Sequence, residues 1–344
     1  MKNKYKRILI IEVNWLGDVL FSTPFIRSVR EKFKDAHIAC MIAPRTREVL
    51  EHNPRVNEII IYDEKGSHRG IFGKMRLIKE LRKKNFDTAF LLHRSTTRAL
   101  LTFLAGIKTR IGYATKKRAF LLTHPVEASD YGEHKVEYFL RIAKEAGCDT
   151  KSKNYEFFIT DTERKYIGST LAENGIKAND LVVVMNPGAN WIPKRWPTWY
   201  FAELGDRLIK DYNAKVVISG AKNDLGLVLQ IESAMKERPV NLTGKTNLKQ
   251  LAALMERANF VISGDTGPTH IAVAMKSNVI AIFGPTSLAF TGPYGGGNYK
   301  ILQKNTCRET PCYEIDCLKE ECMESVTVDS VMEAFKEMHA KWQR

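Results

Sequence analysis

No apolar run in this 344-residue chain approaches the ~18 residues that would span a bilayer. The basic opening, Met1 to Arg7, leads into Ile8 to Ile11, which Glu12, Asn14 and Asp18 soon interrupt. That stretch is too short and too polar for a signal-peptide core, so cytoplasmic residence is the expectation. No G-x-G-x-x-G follows the first apolar run, which removes the nicotinamide-binding Rossmann fingerprint. Gly244-Lys245-Thr246 resembles the end of a Walker loop, but the glycine required five residues earlier is Pro239. Neither H-E-x-x-H nor G-x-S-x-G occurs. Zinc-finger spacing and an RNA-binding aromatic signature are also missing, and the basic residues are dispersed, so no nucleic-acid partner is expected. Cysteine is sparse. Of six, Cys40 and Cys148 sit in apolar patterns, whereas Cys307, Cys312, Cys317 and Cys322 recur every five residues. That cluster is read either as reduced thiols in a loop or as a group that closes around a metal, with a disulfide less expected.

What the chain does have is positive charge. The formal net charge is +14, with 44% hydrophobic and 27% charged residues. Such an excess favours association with polyanions: an anionic small substrate, a phosphorylated glycan or an anionic lipid surface. The length suits two domains rather than one core.

Short apolar strands alternate with amphipathic helices along both halves. Strands are expected at 8–13, 37–42, 59–62 and 88–92, with helices at about 18–33, 71–84, 97–104 and 134–147. A polar stretch follows, with a helix from 161 to 174. A second series has strands at 181–185, 214–219, 258–262 and 278–283. This rhythm implies an α/β fold with two doubly wound parallel sheets, facing one another across a cleft. The expected limits are an N-terminal domain at 1–160, an interdomain connection at 161–180, a second domain at 181–325, and a C-terminal helix within 326–344 able to pack back on the first domain.

The most telling segment is Asn186-Pro187-Gly188-Ala189-Asn190-Trp191-Ile192-Pro193-Lys194-Arg195-Trp196-Pro197, together with Ser263-Gly264-Asp265-Thr266-Gly267-Pro268-Thr269-His270. Each follows a buried-strand pattern and precedes a helix. Ligands of open α/β sheets sit at such strand ends. A glycine-containing turn opening a helix offers unpaired N–H groups to a phosphate, and Lys194 and Arg195 add full charge beside it. Gly284-Pro285-Thr286-Ser287 is a third turn at the same edge. Taken singly, Lys194 and Arg195 also suit a solvated loop, Asp265 a helix cap, and His270 a structural helix residue.

In the first half, Asn14-Trp15-Leu16-Gly17-Asp18 stands at the end of the first strand. Gly17 permits a tight turn. Spacing alone makes Asp18 a helix cap stabilised by the dipole; the functional alternative is a carboxylate that takes a proton from a sugar hydroxyl.

In order, these motifs resemble glycosyltransferase family nine, the ADP-heptose:lipopolysaccharide heptosyltransferases, over about residues 6 to 335. The turn Pro187-Gly188-Ala189 with Lys194-Arg195-Trp196-Pro197 is most similar to the heptosyltransferase II branch. The resemblance implies a GT-B fold, with donor nucleotide on the C-terminal domain and acceptor on the N-terminal one. It also implies an inverting transfer with no cofactor and no obligatory metal. Asp18 matches the family's general base, with Asn14 and Gly17 on the acceptor side. Lys194 matches the lysine that binds the donor diphosphate. Asp265, Thr266, Gly267 and His270 match the donor loop and helix, joined by Pro187 and Gly188, and Asp224 matches an acidic residue that holds the ribose. The implied partners are ADP-heptose, a lipid-linked inner-core acceptor, and the anionic inner face of the inner membrane. Contact with that face is expected through Lys74, Arg76, Lys79, Arg82, Lys83 and Lys84. Rival readings are heptosyltransferase I or III, a transferase of another sugar, and a nucleotide-sugar-binding protein without turnover.

Overall fold

The computed structural model describes residues 5–115, 117–127, 132–304, 310–312, 314, 317 and 321–343. The chain divides into two units, Met1–Phe158 and Ile159–Arg344. The first holds β1 (Arg7–Ile11), β2 (His37–Ile42), β3 (Glu58–Ile61), β4 (Thr88–Leu91), β5 (Thr109–Tyr113) and β6 (His124–Val126). The second holds β7 (Val182–Asn186), β8 (Lys215–Ile218), β9 (Val240–Asn241), β10 (Phe260–Gly264), β11 (Asn278–Phe283) and β12 (Asn298–Gln303). The two sheets run in the orders β3-β2-β1-β4-β5-β6 and β12-β11-β10-β7-β8-β9. Every pairing is parallel. Both are therefore the same doubly wound, Rossmann-like topology, and each reverses direction once. The reversal lies between β1 and β4 in the first unit and between β7 and β10 in the second, which is where such sheets open a crevice beyond their strand ends.

Among the described residues, ten helices have eight residues or more: α1 (Leu16–Lys32), α2 (Gly70–Lys83), α3 (Thr96–Leu104), α4 (Lys135–Glu145), α5 (Asp161–Glu173), α6 (Thr198–Tyr212), α7 (Leu225–Ala234), α8 (Leu248–Arg257), α9 (Gly267–Ala274) and α10 (Val328–Trp342). Their starts obey local rules. Thr160 with Glu163 and Asn247 with Gln250 form capping boxes for α5 and α8. Ser95 caps α3 and Thr327 caps α10. Helix α1 is buried on nearly all sides from Val19 to Val29 although Pro24 interrupts it. Proline cannot donate to the Leu20 carbonyl, and the Thr23 hydroxyl does so instead at 2.7 Å. The segment after α4 is tied back to α1 through Glu156. Its carboxylate accepts from Arg27 at 3.1 Å and from Arg55 at 2.6 and 2.7 Å.

Two expected limits differ. The helix expected in an interdomain connection, α5, belongs to the second unit, where Arg164 pairs with Glu256 of α8 at 2.7 and 3.0 Å. The C-terminal helix α10 likewise falls within the second unit. Its apolar face, Val331, Ala334, Phe335 and Met338, is buried with Phe201, Leu204 and Leu208 of α6. Among the described residues no helix is long and apolar enough to cross a membrane.

Two buried polar arrangements are under load. Trp196 lies in the second unit's core, and its indole N–H donates to the Val326 carbonyl at 2.7 Å, locking the 187–197 loop to the chain before α10. Glu12 is fully buried at the end of β1. Its Oε2 lies 3.0 Å from the Ser22 hydroxyl, which is also 2.8 Å from the Val19 carbonyl. One hydroxyl proton cannot serve both, and a neutral carboxyl supplies the second. Burial pushes the Glu12 carboxyl from its ordinary 4.5 up to about 7, against the opposing pull of Ser22, the Val13 backbone and Arg98.

Trp196→Ala is expected to lower unfolding stability by about 3–5 kcal/mol. Trp196→Phe, which orphans the Val326 carbonyl, should cost about 1–3 kcal/mol. Denaturant midpoints measure both. Because the folded protein holds the Glu12 proton more tightly than the unfolded chain, the benefit is complete below pH 4.5 and fades as pH rises through 7. Glu12→Gln should therefore gain about 3 kcal/mol relative to the parent between pH 4.5 and pH 8. Parallel stability profiles for the two proteins would show that Glu12 is ionised in the fold.

Candidate functional site

In the second unit, β7 ends in Asn186, whose amide donates to the Ser219 carbonyl and hydroxyl, both at 3.1 Å. The chain then turns through buried Pro187 and Gly188 into a single 3-10 turn, Ile192–Lys194. The Lys194 ammonium lies 2.6 Å from Asp265 Oδ2 at the end of β10, and 3.4 Å from the Asp265 carbonyl. It also stands 5.8 Å from the Trp191 ring centroid. Asp265 is 5% exposed, and the His270 Nε2 is 3.9 Å from its other oxygen. Thr266 precedes the first turn of α9, with Pro268 inside that turn. The half-buried Gly267 opens the helix, so its N–H points outward from the N-terminus without an intrahelical acceptor. The Thr269 hydroxyl is spent on the Gly264 carbonyl.

Gly188 and Asp224 form the other side of this site. A Cβ on Gly188 would sit 2.4 Å from Asp224 Oδ2, so no other residue fits while that carboxylate keeps its place. Asp224 Oδ2 accepts from the Ala221 N–H at 2.9 Å. Arg195 does not join Lys194: its Nε donates to the Ala189 carbonyl at 3.0 Å, and its Nη2 stands 3.9 Å from Asp224 Oδ1. The structure thus brings Lys194, Asp265 and His270 together at the β7/β10 reversal, with Thr266 and Gly267 opening α9 beside them. Gly188 lies against Asp224, and Arg195 faces that carboxylate.

In the first unit, Asp18 is the third residue of α1 and is half-buried. It is not the cap, because Trp15 holds that position; an acid in the first turn still faces the favourable end of the dipole. Gly17 lies inside that turn and takes no left-handed conformation, so the tight-turn reading does not hold. Asn14 is held on three sides. Its Oδ1 accepts from Arg98 Nη2 at 2.6 Å, its Nδ2 is 3.1 Å from His93 Nε2, and its carbonyl accepts from Arg45 Nε at 2.8 Å. Arg98 is buried and also donates to the Glu12 carbonyl at 2.5 Å.

His93 lies two residues beyond β4, across the β1/β4 reversal, with its N–H turned to the Ile11 carbonyl. Burial, then Arg98 and Arg118, push its imidazole down to about 4, so it is neutral at pH 7. The Ser95 N–H donates to Nδ1 at 3.0 Å, which leaves the ring proton on Nε2, facing the Asn14 amide. Arg118, also buried, donates to the His93 carbonyl at 2.5 Å and the Tyr113 carbonyl at 2.8 Å.

Sequence reasoning missed His93, Arg98 and Arg118. An arginine inside the otherwise apolar α3 was the available signal. Of the clustered cysteines, Cys312, Cys317 and Cys322 are half-buried, and the Cys312 N–H donates to the Pro285 carbonyl at 2.8 Å. Cys307 lies outside the described residues. Among the described residues no group of three or more His, Cys, Asp or Glu side chains is placed to hold a metal ion.

With both reversal points occupied by such groups, comparison with known proteins becomes informative. Residues 74–323 match the model of glycosyltransferase family 9 (heptosyltransferase). The chain is 28% identical over 300 residues to lipopolysaccharide heptosyltransferase 2 of Escherichia coli, covering 83% of this chain and 85% of that one. It is also 28% identical over 311 residues to lipopolysaccharide heptosyltransferase 3 of the same species, covering 83% and 87%. A family 9 glycosyltransferase structure from Veillonella parvula superposes with a TM-score of 0.88 at 25% identity, covering 99% of each chain. The E. coli ADP-heptose heptosyltransferase II structure superposes at 0.81 and 23% identity, covering 98% and 100%, and shares the fold. The chain belongs to glycosyltransferase family 9, the heptosyltransferases.

Proposed function

We propose that this protein transfers heptose from ADP-heptose to the inner core of a lipopolysaccharide acceptor with inversion at the anomeric carbon, as a heptosyltransferase II. The observation that carries this is the Lys194–Asp265 pair beside the α9 N-terminus at the β7/β10 reversal. It is a preformed cationic seat for a diphosphate. Lys194 and the N–H groups of Thr266 and Gly267 meet charge as it develops on the departing ADP, the task a metal ion performs in other transferases. Asp224, fixed by the Ala221 N–H, holds the ribose. His270 lies 3.9 Å from the far oxygen of Asp265, on the side away from Lys194.

On the acceptor side, Asp18 removes the proton from the attacking hydroxyl, a step typically worth 10²–10⁴ in rate. Arg98 takes the Asn14 carbonyl oxygen, and the Asn14 amide N–H groups face His93 Nε2–H, donor against donor, so a donor remains for a sugar oxygen of the acceptor. The acceptor is lipid-linked, and the +14 charge suits the anionic inner face of the membrane on which it is carried. A second reading, heptosyltransferase III, has the support of the equal identity to the E. coli enzyme of that name. Acceptors ending before and after the second heptose separate the two.

Asp18→Asn should abolish ADP release in the presence of a heptose-deficient core acceptor while leaving ADP affinity near that of the parent. Lys194→Ala should weaken donor binding and lower turnover by roughly a hundredfold. Near-normal turnover of Asp18→Asn at saturating substrates would remove the base from this scheme.

A further inference from the structure

The first unit has a face on which apolar side chains stand out into solvent. Fourteen large apolar residues are exposed among the described residues, and seven of them fall between positions 71 and 120. Three are on the first two turns of α2: Ile71 at 75%, Phe72 at 89% and Met75 at 49% exposure. Three more, Leu100, Phe103 and Leu104, are on α3, and Phe120 follows. Helices α2 and α3 pack side by side on one face of the sheet. Leu77 and Leu81 of the first and Ala99 and Leu101 of the second share one buried cluster. Arg82 clips the pair together by donating to the Leu104 carbonyl at 3.0 and 2.7 Å.

The spacing of 71, 72 and 75 places these three residues on one side of α2, opposite the side that Leu77 and Leu81 bury. A phenylalanine so exposed gains nothing from the fold that carries it, and a cluster of such residues marks a contact surface. The rest of α2 supplies Lys74, Arg76, Lys79, Arg82 and Lys83 against one acid, Glu80. Apolar residues with a cationic surround are the composition of a helix that lies in the plane of a bilayer. Its rings and branched chains enter the acyl boundary while its cations meet headgroup phosphates. The same charge argues against a second copy as occupant, because two such faces brought together would set like charges against each other.

We infer that the α2–α3 face is a membrane-docking surface for an anionic bilayer, in which Ile71, Phe72 and Met75 insert and the basic residues of α2 engage headgroups. This deepens the proposed function, since it rests on the reading that the acceptor is lipid-linked. The basic residues alone would give a loose, salt-sensitive attraction; the apolar triplet adds depth and orientation.

The test is co-sedimentation of the intact protein with phosphatidylcholine vesicles, with and without phosphatidylglycerol. It is run alongside transfer to a delipidated, water-soluble core oligosaccharide. The parent should prefer the vesicles that contain phosphatidylglycerol. Ile71→Ser with Phe72→Ser should lower vesicle partition about tenfold or more. Lys79→Glu with Lys83→Glu should erase the preference for phosphatidylglycerol. All four positions are exposed, so the parent's melting temperature and its rate on the soluble acceptor should be retained. Unchanged partition of the Ile71/Phe72 variant overturns the inference. So does a parallel loss of transfer to the soluble acceptor, which would place this face in the saccharide site, and so does a dimer that Phe72→Ser dissolves. Vesicle binding that depends on Phe72 in a protein that transfers no heptose would uphold the docking surface and sink the enzymatic reading instead.

Discussion

A lysine in the turn that follows one strand and an aspartate at the end of its parallel neighbour, 2.6 Å apart, are the interaction on which the second unit's site is organised. Taking Asp265 almost wholly out of water is costly, and a buried ion pair is weak support for stability on its own. Its surroundings hold the pair in place regardless. A Cβ on Gly264 would come 3.2 Å from the Lys194 carbonyl, so a larger residue there would push the strand end and the 3-10 turn apart by a few tenths of an ångström. Trp196 pins the same loop to the Val326 carbonyl. The fold thus spends its rigidity on holding a cation at a strand end, where an anionic ligand can replace part of the carboxylate's hold on it.

The first unit repeats the topology with different chemistry. Where the second unit presents Lys194 and a helix N-terminus, the first presents a neutral imidazole, an amide and a half-buried carboxylate in the first turn of α1. Behind them, Arg98 and Arg118 tie β1, β4 and β5 together through backbone carbonyls. Burial, aided by their positive charge, keeps His93 unprotonated, so that ring serves as a hydrogen-bond donor through one nitrogen and not as a cation. In the proposed reaction, one half holds charge and the other holds and deprotonates a hydroxyl.

Much of this was readable beforehand. The strand runs 8–11, 182–185, 260–262 and 278–283 are too apolar to be anything but buried, and the Gly/Pro turns after them mark the edge where the site lies. Four strands were not readable: β6 and β9 have three and two residues, too few for periodicity to register, and β5 and β12 interrupt their apolar residues with Arg110 and Lys300. The ownership of α5 and α10 was also out of reach, because a helix's stripe says that it packs but not on what. His93 and Arg98 escaped because their roles arise from strand neighbours about 80 positions apart in sequence, which spacing along the chain cannot express. Gly17 misled in the opposite direction: glycine before an aspartate suggests a turn, and here it sits inside a helix.

The central claim is that Lys194 and the α9 N-terminus grip the terminal phosphate of a nucleoside diphosphate. Calorimetric titration of the intact protein with ADP and with AMP tests it most directly. A charge-assisted contact to the second phosphate should make ADP bind roughly ten- to a hundredfold more tightly than AMP. Lys194→Met should bring the two affinities together. Equal affinity for ADP and AMP in the parent, or an unaltered preference in Lys194→Met, would contradict the account.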